Sequence, residues 1–267
     1  MARNLIGHRD FMLRRRKFTT VLTLTIASMS LCAVGCDNSD PAPSIPPPAT
    51  GEGMSTRWIP NPAVDLMSPE GTFIRAFVES REAALTSFDR TGLEAIESDG
   101  YPGFARAFNR LEPPEQIGGL YPDLGRWGAG TWYYEVVEML PQGNGFAAVV
   151  CAFNSLVAER PNGGDVYRSG GGDDLGQASR LTFAPDPQLP PEEQKSPAAH
   201  QQGPARRPVE NVFGTWVATD YDYLGAEPAE CNRLAPGTPS DWPSPYYRKD
   251  PPPTLSPEPG WPTGSPA

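Results

Sequence analysis

Prolines decide first where this chain can pack. The sequence holds 33 Pro beside 27 Gly. The prolines crowd into three stretches: five lie within 40–49, seven within 185–208 and eleven within 236–267. Each proline fixes φ and removes an amide donor, so these stretches cannot supply helix interiors or central strands. They carry no periodic apolar pattern, and their composition predicts extended, solvated or disordered chain. The expected organisation is therefore a leader at 1–35, a Pro-rich tether at 36–62, one domain at 63–232 with a Pro-rich excursion at 185–208, and a disordered Pro-rich tail at 233–267. The patterned remainder suffices for one modest core.

The leader is the most specific motif. Arg14-Arg15-Arg16-Lys17 precedes an apolar run at 21–34, which is too short to span a bilayer but suits a signal peptide. Residues 1–11 add nothing that such a signal needs. Ala33-Val34-Gly35-Cys36 resembles the bacterial lipobox, with Ala33 where Leu is usual. The resemblance implies that Cys36 becomes the acylated (palmitate-type) N-terminus. It also implies a lipid-anchored protein on the extracytoplasmic face of the cell membrane, since two or more acyl chains anchor stably. An ordinary cleaved signal, with Cys36 incidental, is the alternative. Arg15-Arg16-Lys17-Phe18 resembles the twin-arginine pattern, from which Thr19-Thr20 departs.

Cysteine usage agrees with export. Cys32 is discarded with the leader and Cys36 takes lipid, which leaves Cys151 and Cys231. An even pair in an oxidising compartment predicts one disulfide, with two free thiols as the alternative. No His or third Cys stands at ligand spacing, so no metal site is expected. The formal charge is −10 at pH 7. Six of the 22 basic residues precede residue 18, against one of the 32 acidic residues, so the exported part is more acidic still. Nucleic acid is excluded as a non-specific partner, and the chain has no basic amphipathic stretch for anionic lipid.

Within the domain, Ser68-Pro69-Glu70 is a helix start. Phe73, Phe77, Ala84, Leu85 and Phe88 then recur near helical spacing, with Arg75, Glu79, Arg81 and Glu82 expected on the surface. A second helix is expected at 91–98. A third carries Phe104, Ala107, Phe108 and Leu111 and ends at Pro113-Pro114. The period then changes. Strands are expected at 131–140 and 146–153 around a Gly-Asn turn, more weakly at 165–168, then at 180–184 and 211–223. Helices first and antiparallel strands afterwards predict an α+β domain with helices packed on one sheet face.

That element order over 65–225 resembles the nuclear-transport-factor-2-like fold. The resemblance implies N-terminal helices packed on a curved antiparallel sheet, cone-like, with a pocket at its mouth. Actinobacterial envelope lipoproteins with Pro-rich linkers carry similar folds. Enzymes of that fold commonly use an Asp–His pair, which this sequence lacks.

The chemistry on offer is narrow. Only His8 and His200 are present, one in the leader and one in the Pro-rich excursion, which disfavours triads, dyads and His-ligated zinc. Beyond the leader only Lys195 and Lys249 remain, both in biased stretches. Glu135 and Glu138, three apart on a strand, are expected on opposite faces, and Asp220 and Asp222 on one face. Asp173-Asp174 follow a Gly-rich loop that lacks the Lys-Ser/Thr of a phosphate loop. The aromatic residues Trp132, Tyr134, Trp216, Tyr221 and Tyr223 on two long strands form the expected ligand or partner face. Trp242, Tyr246, Tyr247 and Trp261 lie in the tail, where they can dock outward or fold back.

The function expected is a non-catalytic, cofactor-free envelope lipoprotein that binds a protein partner or small apolar ligand. One alternative is a prophage-type surface lipoprotein that blocks superinfection. Another is a small hydrolase or isomerase using pocket carboxylates and tyrosines, whose mark would be a buried carboxylate of raised pKa.

Overall fold

A computed structural model describes residues 53–226 and 228–263. The leader, Cys36 and most of the expected tether lie outside the described residues. In chain order the elements are β1 (Met54–Ile59), α1 (Pro69–Leu85), α2 (Gly92–Ser98), α3 (Phe104–Phe108), α4 (Pro122–Trp127), β2 (Ala129–Gln142), β3 (Gly145–Phe153), β4 (Val157–Ala158), β5 (Tyr167–Ser169), β6 (Gln177–Pro185), β7 (Trp216–Tyr223) and β8 (Tyr246–Arg248). The domain is α+β, as expected. Its main sheet runs β1-β2-β3-β6-β7, with β4 beside the start of β2, and it does not close; β5 and β8 form a separate pair.

The sheet is mixed rather than antiparallel. β1 pairs with β2 in parallel, Met54 opposite Gly130 and Ile59 opposite Glu135. The four helices between them form the long crossover that a parallel pair requires. β1 falls inside the stretch expected to be tether, so the domain starts earlier than proline content suggests.

α1 begins as its sequence dictates. Ser68 caps it by accepting from the Gly71 amide at 3.0 Å, and Pro69 occupies the first turn. Phe73 stacks on Phe183 at 4.8 Å and meets Phe213 edge-on at 5.7 Å, while Phe77 meets Phe104 at 5.5 Å. The expectation of a polar outer stripe fails. Arg75, Glu79 and Arg81 are buried, because the sheet covers one side of α1 and later chain covers the other. The third helix stops at Phe108, where Asn109 and Arg110 turn left-handed. Residues 211–215 form a loop before β7 rather than its first half.

The described Pro-rich segments, 185–208 and 233–263, are ordered against the domain, which corrects the disorder expected there; 264–267 lie outside the described residues. Trp261 and Tyr246 are each 1 % exposed. Trp261 exchanges backbone hydrogen bonds with Ala205, at 2.9 and 3.0 Å, so tail and excursion fasten each other. Glu258 bonds along β1 through the Trp58 amide (2.7 Å) and the Thr56 carbonyl (3.2 Å) and pairs with Arg57. Proline is the physical reason this works. Fixing an already restricted chain costs less entropy, and Pro leaves no amide to satisfy. A few large aromatics then suffice as anchors.

Beneath Trp261 lies a buried polar knot. Glu79 accepts from Trp58 Nε1 (2.6 Å), the Tyr101 hydroxyl (2.7 Å) and Trp261 Nε1 (2.8 Å). One turn earlier, Arg75 donates to the carbonyls of Gln201 (2.8 Å) and Gly260 (2.6 Å) and lies 4.3 Å over the Trp261 ring. Burial pushes the Glu79 carboxyl up, opposed by Arg75 and the three donors.

The opposite sheet face has its own core of Tyr133, Val149, Cys151, Phe153 and Ala178, closed by Cys231 and Ala235. Cys151 and Cys231 are disulfide-bonded, with Cα atoms 5.2 Å apart.

Candidate functional site

A cavity of about 350 Å³ lies between the C-terminal half of α1 and the helix-facing side of the sheet. Strand register explains its walls. Tyr134 pairs with Ala152, Leu181 with Tyr221 and Ser179 with Tyr223, and paired residues share a face. Trp132 and Tyr134 on β2, and Tyr221 and Tyr223 on β7, therefore all turn toward α1. A bulge at Thr219 separates Tyr221 from Ala218 without moving either off that face. From α1 the wall takes Val78, Glu82 and Leu85, which share a helical face, and Arg81. The loop after β5 adds Asp174. Tyr121 and Tyr223 are exposed and mark the rim.

The two arginines of this cavity are engaged. Arg81 pairs with Glu112 at 2.9 Å, donates to the Tyr223 hydroxyl at 3.0 Å and lies 4.3 Å over the Tyr221 ring. Arg168 pairs with Glu159 at 3.5 Å. Glu82 is different. Among the described residues its carboxylate has no ion pair within 4.0 Å and no hydrogen bond, and burial pushes it up to about 6, with Arg81 opposing. Burial also raises Tyr134 well above the ordinary phenol value, helped by the charges of Glu82 and Glu79. Tyr221 is pushed up to about 12 by the same cause. The indole N–H of Trp132 is buried without a partner among the described residues. A second cavity of about 310 Å³, toward β1, shares the Glu82 and Trp132 wall.

Comparison with protein families, curated proteins and solved structures finds no match for this chain. The site therefore stands on its own geometry.

Four of the five expected aromatics line the cavity; Trp216 does not. It packs into the core against Phe183 (6.0 Å) and Phe146 (6.2 Å). Glu135 and Glu138 are on one face, not two, because a bulge at Val137 resets the alternation: Glu135 pairs with Cys151 and Glu138 with Val149. Glu135 is engaged by Asn61 at 2.9 Å and by Arg233. Asp220 and Asp222 share the outward face with Thr182 and Arg180. His200 is exposed, and Lys249 pairs with exposed Asp165 at 3.5 Å. No group of three or more potential metal ligands occurs among the described residues. Sequence reasoning missed Glu82, although an acid between Val78 and Leu85 on one helical stripe is its signature.

Glu82 has a thermodynamic consequence. A carboxyl whose folded value lies above its unfolded value holds its proton more tightly in the fold, so ionisation costs stability. The cost is absent below the ordinary value of 4.5, grows through about 6 and is constant above it. Glu82→Gln should raise stability by about 1–2 kcal/mol at neutral pH and lose that advantage below about pH 4.5. Urea unfolding at the two pH values checks this. A variant no more stable than the parent at neutral pH contradicts it.

Proposed function

We propose that this chain is an exported, lipid-anchored protein of the cell envelope whose domain binds a small ligand with an apolar body in the cavity under α1. The observation that carries the binding reading is that cavity, walled by Trp132, Tyr134 and Tyr221, with the unengaged carboxylate of Glu82 among them. Apolar walls with few placed polar groups are what ligand sites present. A carboxylate that weakens the fold at neutral pH is easier to account for by function than by packing. The anchor reading rests on Ala33-Val34-Gly35-Cys36 and is supported by the Cys151–Cys231 link, which suits an oxidising compartment. Membership of the nuclear-transport-factor-2-like fold, with the sheet curved cone-like about α1, belongs to the same proposal, as does an actinobacterial envelope setting. The bulges in β2 and β7 support such curvature.

Two measurements test it. Globomycin or Cys36→Ser should block cleavage, so that a leader-bearing precursor accumulates and no acylated N-terminus forms at Cys36; unchanged processing, or an intact mass without acyl chains, rejects the anchor. Native mass spectrometry of protein taken from membranes should show a small molecule that is lost on Tyr221→Ala. An empty protein, or retention by that variant, rejects the cavity as the binding site.

A catalytic reading has one observation in its favour: a carboxyl at about 6, poised as a general base, beside Tyr134. The two readings separate in Glu82→Gln. A binder carries the same compound in both forms. An enzyme carries substrate in the variant and product, or nothing, in the parent.

A further inference from the structure

We infer that the ligand of this cavity is an organic cation, an amine or quaternary ammonium on an apolar body, with Glu82 as its counter-ion. This rests on the reading that the cavity binds a small ligand. Four observations carry it. Both cationic side chains in the wall are already neutralised, Arg81 by Glu112 and Arg168 by Glu159. Two acids in the wall, Glu82 and Asp174, have no ion pair among the described residues, although backbone amides of Gly170 and Gly171 reach Asp174. The uncompensated charge is therefore negative. The ring surface around it suits a cation, which aromatic faces attract. The molecule itself already seats one there, since the Arg81 guanidinium lies 4.3 Å over Tyr221. An anionic ligand would find no free arginine and would face Glu82 directly.

Around Glu82 stand Arg81 and Glu79 on its own helix, Tyr134 on β2, and Tyr221 and Tyr223 on β7, while Asp99, Tyr101, Arg206 and Arg207 share with it the wall of the second cavity. The phenols of Tyr134 and Tyr221, both raised by burial, and the Arg81 guanidinium keep one charge state between pH 5 and 8. A cation's affinity should thus rise as Glu82 loses its proton through about 6.

Calorimetric titration of the disulfide-linked exported chain with octylamine, octanol and octanoate tests the charge assignment on one apolar skeleton. Octylamine should bind about tenfold or more tighter than octanol, as a charge-assisted contact predicts, and octanoate should bind weakest. Octylamine affinity should fall about tenfold per pH unit below about 6, while octanol stays constant. Glu82→Gln should bring octylamine to the octanol level and leave octanol unchanged, which also reports that the variant folds. If that variant fails to fold, Asp174→Asn and the pH series of the parent carry the test. Equal binding of octylamine and octanol, a pH-independent octylamine affinity, or tightest binding by octanoate overturns the cation while leaving the cavity a ligand site. Binding by none of the three overturns the cavity reading itself.

Discussion

Replacing Arg75 with Met should cost about 3–5 kcal/mol, a large part of the stability of a domain this size. Arg75 is 0 % exposed and donates to the carbonyls of Gln201 and Gly260, two segments far apart in sequence. Methionine fills much of the volume but leaves those carbonyls without their donor. It also removes the cation nearest Glu79, whose carboxylate then stays buried on neutral donors alone. Glu79→Gln should cost less, because its remaining amide oxygen can still accept from Tyr101 and Trp261, which share one carboxylate oxygen, and its NH2 leaves only the Trp58 indole N–H unmatched. The double change should cost less than the sum of the two, since neither unmatched charge remains. Urea unfolding followed by tryptophan fluorescence measures all three. A loss under about 1 kcal/mol in Arg75→Met would show that the knot is incidental.

The paired change Cys151→Ala with Cys231→Ala should cost about 2–4 kcal/mol. The bridge closes a loop of 80 residues, for which the chain-entropy estimate is about 4 kcal/mol before native strain is subtracted. The loss has a place as well as a size. Residues 231–242 cover Tyr133, Val149 and Phe153 on the outer sheet face, and few regular hydrogen bonds hold that cover. Its opening should precede global unfolding, so protease should cut near 225–245 in the variant before it cuts the sheet. Uniform protection at parental stability would refute this assignment.

Much of the domain was legible because its signals are local. The Ser68 cap with Pro69, the aromatic run of β2 and the turn before β3 each fix one element without reference to distant chain. Cys151 and Cys231 were legible by elimination. What escaped depends on neighbours that sequence spacing cannot reveal. One extra residue at Val137 puts Glu135 and Glu138 on the same face. Trp216 has the same strand signature as Tyr221, yet it falls over the Phe73–Phe183 stack and is consumed by the core. Arg75 and Glu79 look like surface residues until chain from far downstream arrives to cover them. The tail was misread because composition counts prolines as disorder and gives no weight to where Trp261 lands.

The seal on β1 also sets an order of events. Arg57 meets Glu258, 201 positions later, so the first strand of the described chain is finished by nearly its last residues. A nascent chain emerging from its N-terminus shows that strand long before the covering segment has been synthesised. Its unpaired backbone edge stays available to strangers for the whole interval. Fast elongation or a bound chaperone would shorten that exposure, and slow elongation late in the message would favour clumping over the monomer.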